Sequence, residues 1–152
     1  MTTETLRLPN QCHPTPDLLT CGLPSTRDLT LASQAGYKTV INLCQPQETP
    51  PDEPATVEAL GMHYCQIPVA GPADLTEAKA RQLGDIVNDC QRHPVLIHCM
   101  SGNRVGALLA LKAFFVDGQT PQQAVETGLS AGLKALEPEV WRLLNLHASS
   151  GR

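Results

Sequence analysis

The sequence predicts an α/β protein with a mostly parallel central sheet flanked by helices. Three observations carry that prediction. Short apolar or β-branched runs recur at residues 18–23, 37–43, 62–69 and 94–97 and read as strands, those at 37–43 and 94–97 as buried ones. Segments of helical apolar period separate them. Glycine and proline punctuate the joins, as at Gly36, Gly61 and the 45–54 loop.

Taken in order, residues 1–17 mix Pro9, Pro14 and Pro16 with polar side chains and read as an irregular arm, ordered where it docks on the body; residues 18–152 form one domain. Residues 18–23 give a first strand. Ser25, with Asp28 three residues on, starts a helix running through Leu29, Ala32 and Ala35 to a stop at Gly36. The YKTVINL run at 37–43 is a strand on its β-branched content. A proline-rich, acid-bearing surface loop follows at 45–54, then a short helix at 54–60 that Gly61 ends. Residues 62–69 give the next strand and 70–73 a second proline-glycine loop. Helical period resumes from Leu75 through Leu83 to Cys90, opposite a charged face of Glu77, Arg81, Asp85 and Asp89. After the strand at 94–97 and the loop 98–104, an apolar helix begins near Val105, with Gly118 as its stop. Thr120-Pro-Gln-Gln123 is a capping box with proline in the first turn, and a last amphipathic helix spans about 138–146.

Composition narrows the function. The chain has 152 residues, enough for one domain with a core of its own. Aromatics make up 3% of it, so that core is aliphatic. A net charge of −4 argues against nucleic acid or an anionic membrane as partner, and any attraction for phosphate must be local. The N-terminus has no apolar signal region and no run is long enough to span a bilayer, which predicts a soluble, cytoplasmic protein. Six cysteines without a signal read as reduced thiols, and none has zinc-site spacing, so no metal is expected.

The chemistry concentrates at residues 98–104, HCMSGNR. The loop joins a buried strand to a helix, and Gly102-Asn103 are the residue types that adopt positive φ most readily, so backbone N–H groups can turn toward a common centre. A helix N-terminus beside it favours negative charge. Cys99 at the start of such a loop should ionise readily, because thiolate is the anion the site stabilises. Arg104 closes it with a planar fork matched to a phosphoryl or carboxylate group. Taken singly, Cys99 is a small buried hydrophobe and Gly-Asn a turn; the unbroken order of strand, Cys, Gly-Asn, Arg and helix favours function.

HCMSGNR resembles the active-site loop of cysteine-dependent protein phosphatases, and GLPSTRDLTLASQAGYKTVINL with the following loop looks like the front half of the dual-specificity phosphatase fold. The set GLPSTRDL, VINL, IPV and HCMSGNRVGA resembles a bacterial family of phosphatase-like domains related to the beta-lactamase hydrolase-like proteins. The resemblance implies a cofactor-free phosphomonoesterase acting on a phosphorylated protein or small molecule. Cys99 would be the nucleophile; Met100, Ser101, Gly102, Asn103 and Arg104 would form the phosphate-binding loop, supported by His98. The family mechanism also needs a general acid after the preceding strand, where Asp74 is the nearest carboxylic acid, with Glu48 and Asp52 as further candidates. Asp74-Leu-Thr-Glu77 also reads as a capping box for the next helix.

Two features depart from the phosphatases. The loop is one residue shorter than theirs and matches in length that of rhodanese-like sulfurtransferases, and Val105 stands where they usually carry Ser or Thr. A Cys99 persulfide carrier is therefore the alternative, and a non-catalytic anion-binding module a third reading.

Overall fold

The fold follows from a computed structural model, in which residues 6–148 are described. Five strands form one sheet: β1 (Cys12–Thr15), β2 (Leu18–Cys21), β3 (Thr39–Asn42), β4 (His63–Gln66) and β5 (Val95–His98). Their spatial order is β1-β2-β5-β3-β4. β2, β5, β3 and β4 pair in parallel, and β1 joins β2 as an antiparallel edge. The mostly parallel sheet read from the sequence is thus the observed one.

Alternate residues of the strands feed two cores. Leu18, Ile41, Val95 and Ile97 face α3 (Glu77–Val87), α4 (Asn103–Phe115), α5 (Pro121–Ser130) and α6 (Glu137–Ala148). Leu19, Cys21, Val40 and Leu96 face α1 (Thr26–Gln34) and α2 (Glu53–Ala59). β2, β3 and β5 are buried along their whole length, which explains why their sequences show no polar alternation. α4 is buried from Val105 to Ala113 and approaches its neighbours at backbone distance: a Cβ on Gly106 would lie 2.2 Å from the Leu133 nitrogen.

The local stops and starts are made by the groups expected of them. Ser25 and Thr120 each form a reciprocal capping box, while Gly36, Gly61 and Gly118 adopt positive φ after their helices. Two expectations need correction. The arm 1–17 is not irregular throughout, because Cys12–Thr15 pairs with β2. Pro14 is tolerated there since an edge strand leaves alternate N–H groups unpaired. Residues 1–5 of that arm lie outside the described residues. Asp74 does not cap α3 either. Thr76 does, accepting from the Lys79 N–H at 3.2 Å.

β5 is the central strand, flanked by β2 and β3, so the loop after it opens among the loops that follow β2, β3 and β4. Such a crevice beyond the carboxyl ends of parallel strands is where this architecture binds ligands.

Candidate active site

The chain leaves β5 at His98 and enters α4 at Asn103, with Gly102 as N-cap at φ 93°. That left-handed turn is open to glycine at little cost, and the Gly102 N–H donates to Cys99 Sγ, 3.0 Å away. Cys99 is buried, and α4 begins just beyond it. The sulfur thus lies between an N–H donor and a helix N-terminus. Met100 and Ser101 are exposed above it.

Two carbonyls of the loop accept backbone N–H groups. The Leu23 N–H donates to Met100 O at 3.2 Å and the Gly106 N–H to Gly102 O at 3.0 Å. Asn103 Oδ1 accepts from the Lys134 N–H at 2.8 Å and the Leu136 N–H at 3.3 Å, tying the loop to the α5–α6 connection. Gly22 makes room for this arrangement, since a Cβ there would lie 2.6 Å from Met100 O.

Arg104 reaches back across the sheet end. Its Nη1 and Nη2 donate to the two oxygens of Glu48 at 2.9 and 3.0 Å, and Nη1 also donates to Val69 O at 2.7 Å. One guanidinium therefore joins the loops after β3, β4 and β5. Glu48 Oε1 accepts from the Gln45 N–H at 2.9 Å as well. The Arg104 bonds first, and the Gln45 N–H second, hold the Glu48 carboxyl below the usual carboxylate range. A carboxylate kept ionised by three donors is a poor proton source, so the structure speaks against Glu48 as the general acid. Its place is to aim Arg104.

His98 points to the other face of the sheet. Its Nε2 donates to Glu53 Oε2 at 2.7 Å; both side chains are buried. Tyr64 donates to the same oxygen at 3.2 Å and accepts from Asn42 Nδ2 at 2.9 Å, while Asn42 Oδ1 accepts from the Cys44 N–H at 2.8 Å. This network runs from the strand carrying the loop to the start of the loop after β3 and ties the two together.

Asp74 sits in a turn of 3-10 helix after β4, Pro72–Asp74, and its Oδ2 accepts from the Ala70 N–H at 2.8 Å. It is partly exposed on the loop whose first residues follow Val69, the residue that Arg104 touches. Asp52 is exposed at the start of α2. The sequence reading missed Gly22, Glu53, Tyr64 and Asn42. Gly22 alone left a local signal, a glycine inside a strand pattern.

Cys21 and Cys44 are buried as well. Burial pushes the Cys44 thiol up to about 12, against the pull of Arg104, and burial raises Cys21 strongly too. Both stay protonated at neutral pH.

A central strand ending at His98 with Cys99 just past it, an N–H on the sulfur and an Arg in the next helix are arranged as in the dual-specificity phosphatase fold. The chain is 28% identical to a phosphatase-like DUF442 protein of Shewanella putrefaciens CN-32, over 94% of this chain and 90% of that one, with a TM-score of 0.66. The core catalytic domain of the PP-IP phosphatase SIW14 from S. cerevisiae shares the fold, with a TM-score of 0.70 at 19% identity over 92% of this chain and 88% of that one. Among curated proteins, a beta-lactamase hydrolase-like protein of Xylella fastidiosa is 31% identical over 111 residues, 69% of this chain. The chain spans 25% of that relative's length. No family model matches the sequence. The chain thus has the phosphatase-like fold and is similar over part of its length to the beta-lactamase hydrolase-like proteins. Among its described residues no helix is long and apolar enough to cross a membrane.

Proposed function

We propose that the protein is a cysteine-dependent phosphomonoesterase, and the observation that carries this is the Gly102 N–H set 3.0 Å from Cys99 Sγ at the head of α4. The Cys99 thiolate attacks phosphorus, the bond to the leaving oxygen breaks, and the loop N–H groups with Arg104 take up the charge on the phosphoryl oxygens. Asp74, on the rim loop after β4, gives its proton to the leaving oxygen. Water then attacks the cysteinyl-phosphate, releasing phosphate and restoring the thiolate. The cavity of about 390 Å³ lined by Leu23, Ser25, Pro50 and Glu53, beside the Leu23 N–H that holds the loop, offers room for the organic part of the ester.

A second reading has its own support. The loop places four residues, Met100, Ser101, Gly102 and Asn103, between Cys99 and Arg104, and Cys99 is fully buried, which suits a narrower load than a phosphoryl group. In that reaction Cys99 attacks the outer sulfur of thiosulfate, the S–S bond breaks, sulfite leaves, and cyanide collects the sulfur as thiocyanate. The test offers the purified protein an aryl phosphate, with and without vanadate, and separately thiosulfate with cyanide. Vanadate-sensitive phosphate release that disappears in Cys99→Ser is the expected result. Thiocyanate production without phosphate release would reverse the order, and inactivity on both would leave an anion-binding module.

A further inference from the structure

We infer that Asn10, from the N-terminal arm, is a positioning residue that sets the donor strength of the catalytic loop. Its Nδ2 donates to Ser101 O at 3.0 Å, across 91 residues of sequence. That carbonyl belongs to the same peptide unit as the Gly102 N–H. Because a trans peptide is planar with its C=O and N–H opposed, fixing the Ser101 oxygen toward Asn10 directs the Gly102 N–H the other way, onto Cys99 Sγ at 3.0 Å. The peptides on either side are held by backbone donors of the body, Leu23 and Gly106. The one that serves the sulfur is held by a side chain of the arm.

The arm is built to deliver that amide. Leu8 is buried among Leu19, Leu29 and Val40, Pro9 O accepts from the Gly22 N–H at 2.7 Å, and the Leu8 N–H donates to Gln11 Oε1 at 3.0 Å. Between these anchors Asn10 takes φ 50°, the one non-glycine residue in the left-handed region among those described. Asparagine bears that conformation better than other side chains and brings an amide donor with it, whereas glycine would bring none. A residue held off the favoured backbone beside a reactive loop, with its side chain bonded to that loop, has a task there.

The inference rests on Cys99 reacting as a thiolate, but not on which group it attacks. Two variants test it in the full chain. Asn10→Gly keeps the positive φ and loses the amide; Asn10→Asp keeps the backbone and shape but turns the donor into an acceptor. Iodoacetamide alkylation of Cys99 is followed against pH by mass spectrometry of its peptide, in about 1 M salt so that the added Asp charge is screened beyond about 3 Å. Loosening the Gly102 N–H against the sulfur should displace the pH–rate profile upward by about half a unit to one unit, a fall of about 3- to 10-fold in rate on its acid side. Hydrogen exchange at the Gly102 amide should quicken in both variants. An unmoved profile in either variant overturns the inference, including the case where the melting temperature falls and nothing else changes. Since alkylation needs no substrate, failure here is separate from failure of the phosphatase reading, which would show as absent turnover in the unaltered protein.

Discussion

Glu48→Gln removes the carboxylate that grips Arg104 and leaves a side chain of the same shape. Gln keeps one acceptor, but its amide nitrogen then faces Nη2, setting donor against donor where the structure has a 3.0 Å bond. The side chains are 14% and 28% exposed, so the pair lies between a surface ion pair, contributing about 0–1 kcal/mol, and a buried one, whose breaking costs about 3–5 kcal/mol. A loss of about 2 kcal/mol is the corresponding figure, or about 4–8 °C in melting temperature for a domain of this length.

The pH dependence is specific. The Glu48 carboxyl is depressed in the folded state, so the stability it contributes is complete above the unfolded glutamate value of about 4.3 and drains away as pH falls through the lower folded value. Melting curves of the two proteins should therefore run a constant distance apart above about pH 5 and converge below about pH 4. Turnover should fall by roughly an order of magnitude or more as the guanidinium loses its aim, and equally for aryl and alkyl phosphates, since no proton donor has been removed. Curves that never separate, or a gap unchanged down to pH 3, would refute the argument from the pair. A loss confined to alkyl phosphates would restore Glu48 as the acid.

Two further changes probe the rim. Asp74→Asn can keep the acceptor that binds the Ala70 N–H and leaves the Thr76 cap of α3 untouched, so melting should change by less than about 1 kcal/mol while turnover of substrates with poor leaving groups drops about 10²-fold or more and aryl phosphates are largely spared; equal kinetics on both would remove Asp74 from the mechanism. Gly22→Ala brings a Cβ to 2.6 Å from Met100 O, which must retreat and slacken the Leu23 N–H bond to the loop. We expect a cost of about 1–3 kcal/mol with a fall in turnover near 10²-fold, and unchanged kinetics would show that the loop does not depend on that contact.

How much of this was legible in the sequence depends on the distance between partners. The HCMSGNR loop could be read because its strand, turn glycine and helix start are neighbours and obey local rules. The sheet could be read because β2, β3 and β5 are buried on both faces and carry unbroken apolar runs. Glu48 with Arg104, Glu53 with His98 and Asn10 with Ser101 are pairs 56, 45 and 91 residues apart, and one sequence records no pairing at such range. Asp74 was misread for a different reason. The segment Asp74-Leu-Thr-Glu77 offers two cap residues, and Thr76 takes the role because the Asp74 carboxylate is already bonded to Ala70. β1 was lost because proline speaks against strands everywhere except at an edge, and what makes Cys12–Thr15 an edge is its turn back onto β2.

The bonds of Arg104 also bear on which anion the loop is shaped to hold. A guanidinium has five N–H groups in a fixed plane. Glu48 takes one on each terminal nitrogen, end-on, and Val69 O takes the second on Nη1. The two that remain, on Nε and Nη2, lie along one edge and point the same way. Two parallel donors at that spacing match two oxygens of one tetrahedral group. A persulfide offers a single sulfur and has no use for a second donor. Glu48 and Val69 thus fix the plane of the guanidinium and leave that edge as a two-oxygen clamp. The same clamp would also fit the oxygens of thiosulfate, so Arg104 by itself favours an oxyanion over a bare sulfur atom. The choice between the two reactions then falls to Asp74, because sulfite leaves without a proton and an alkoxide does not.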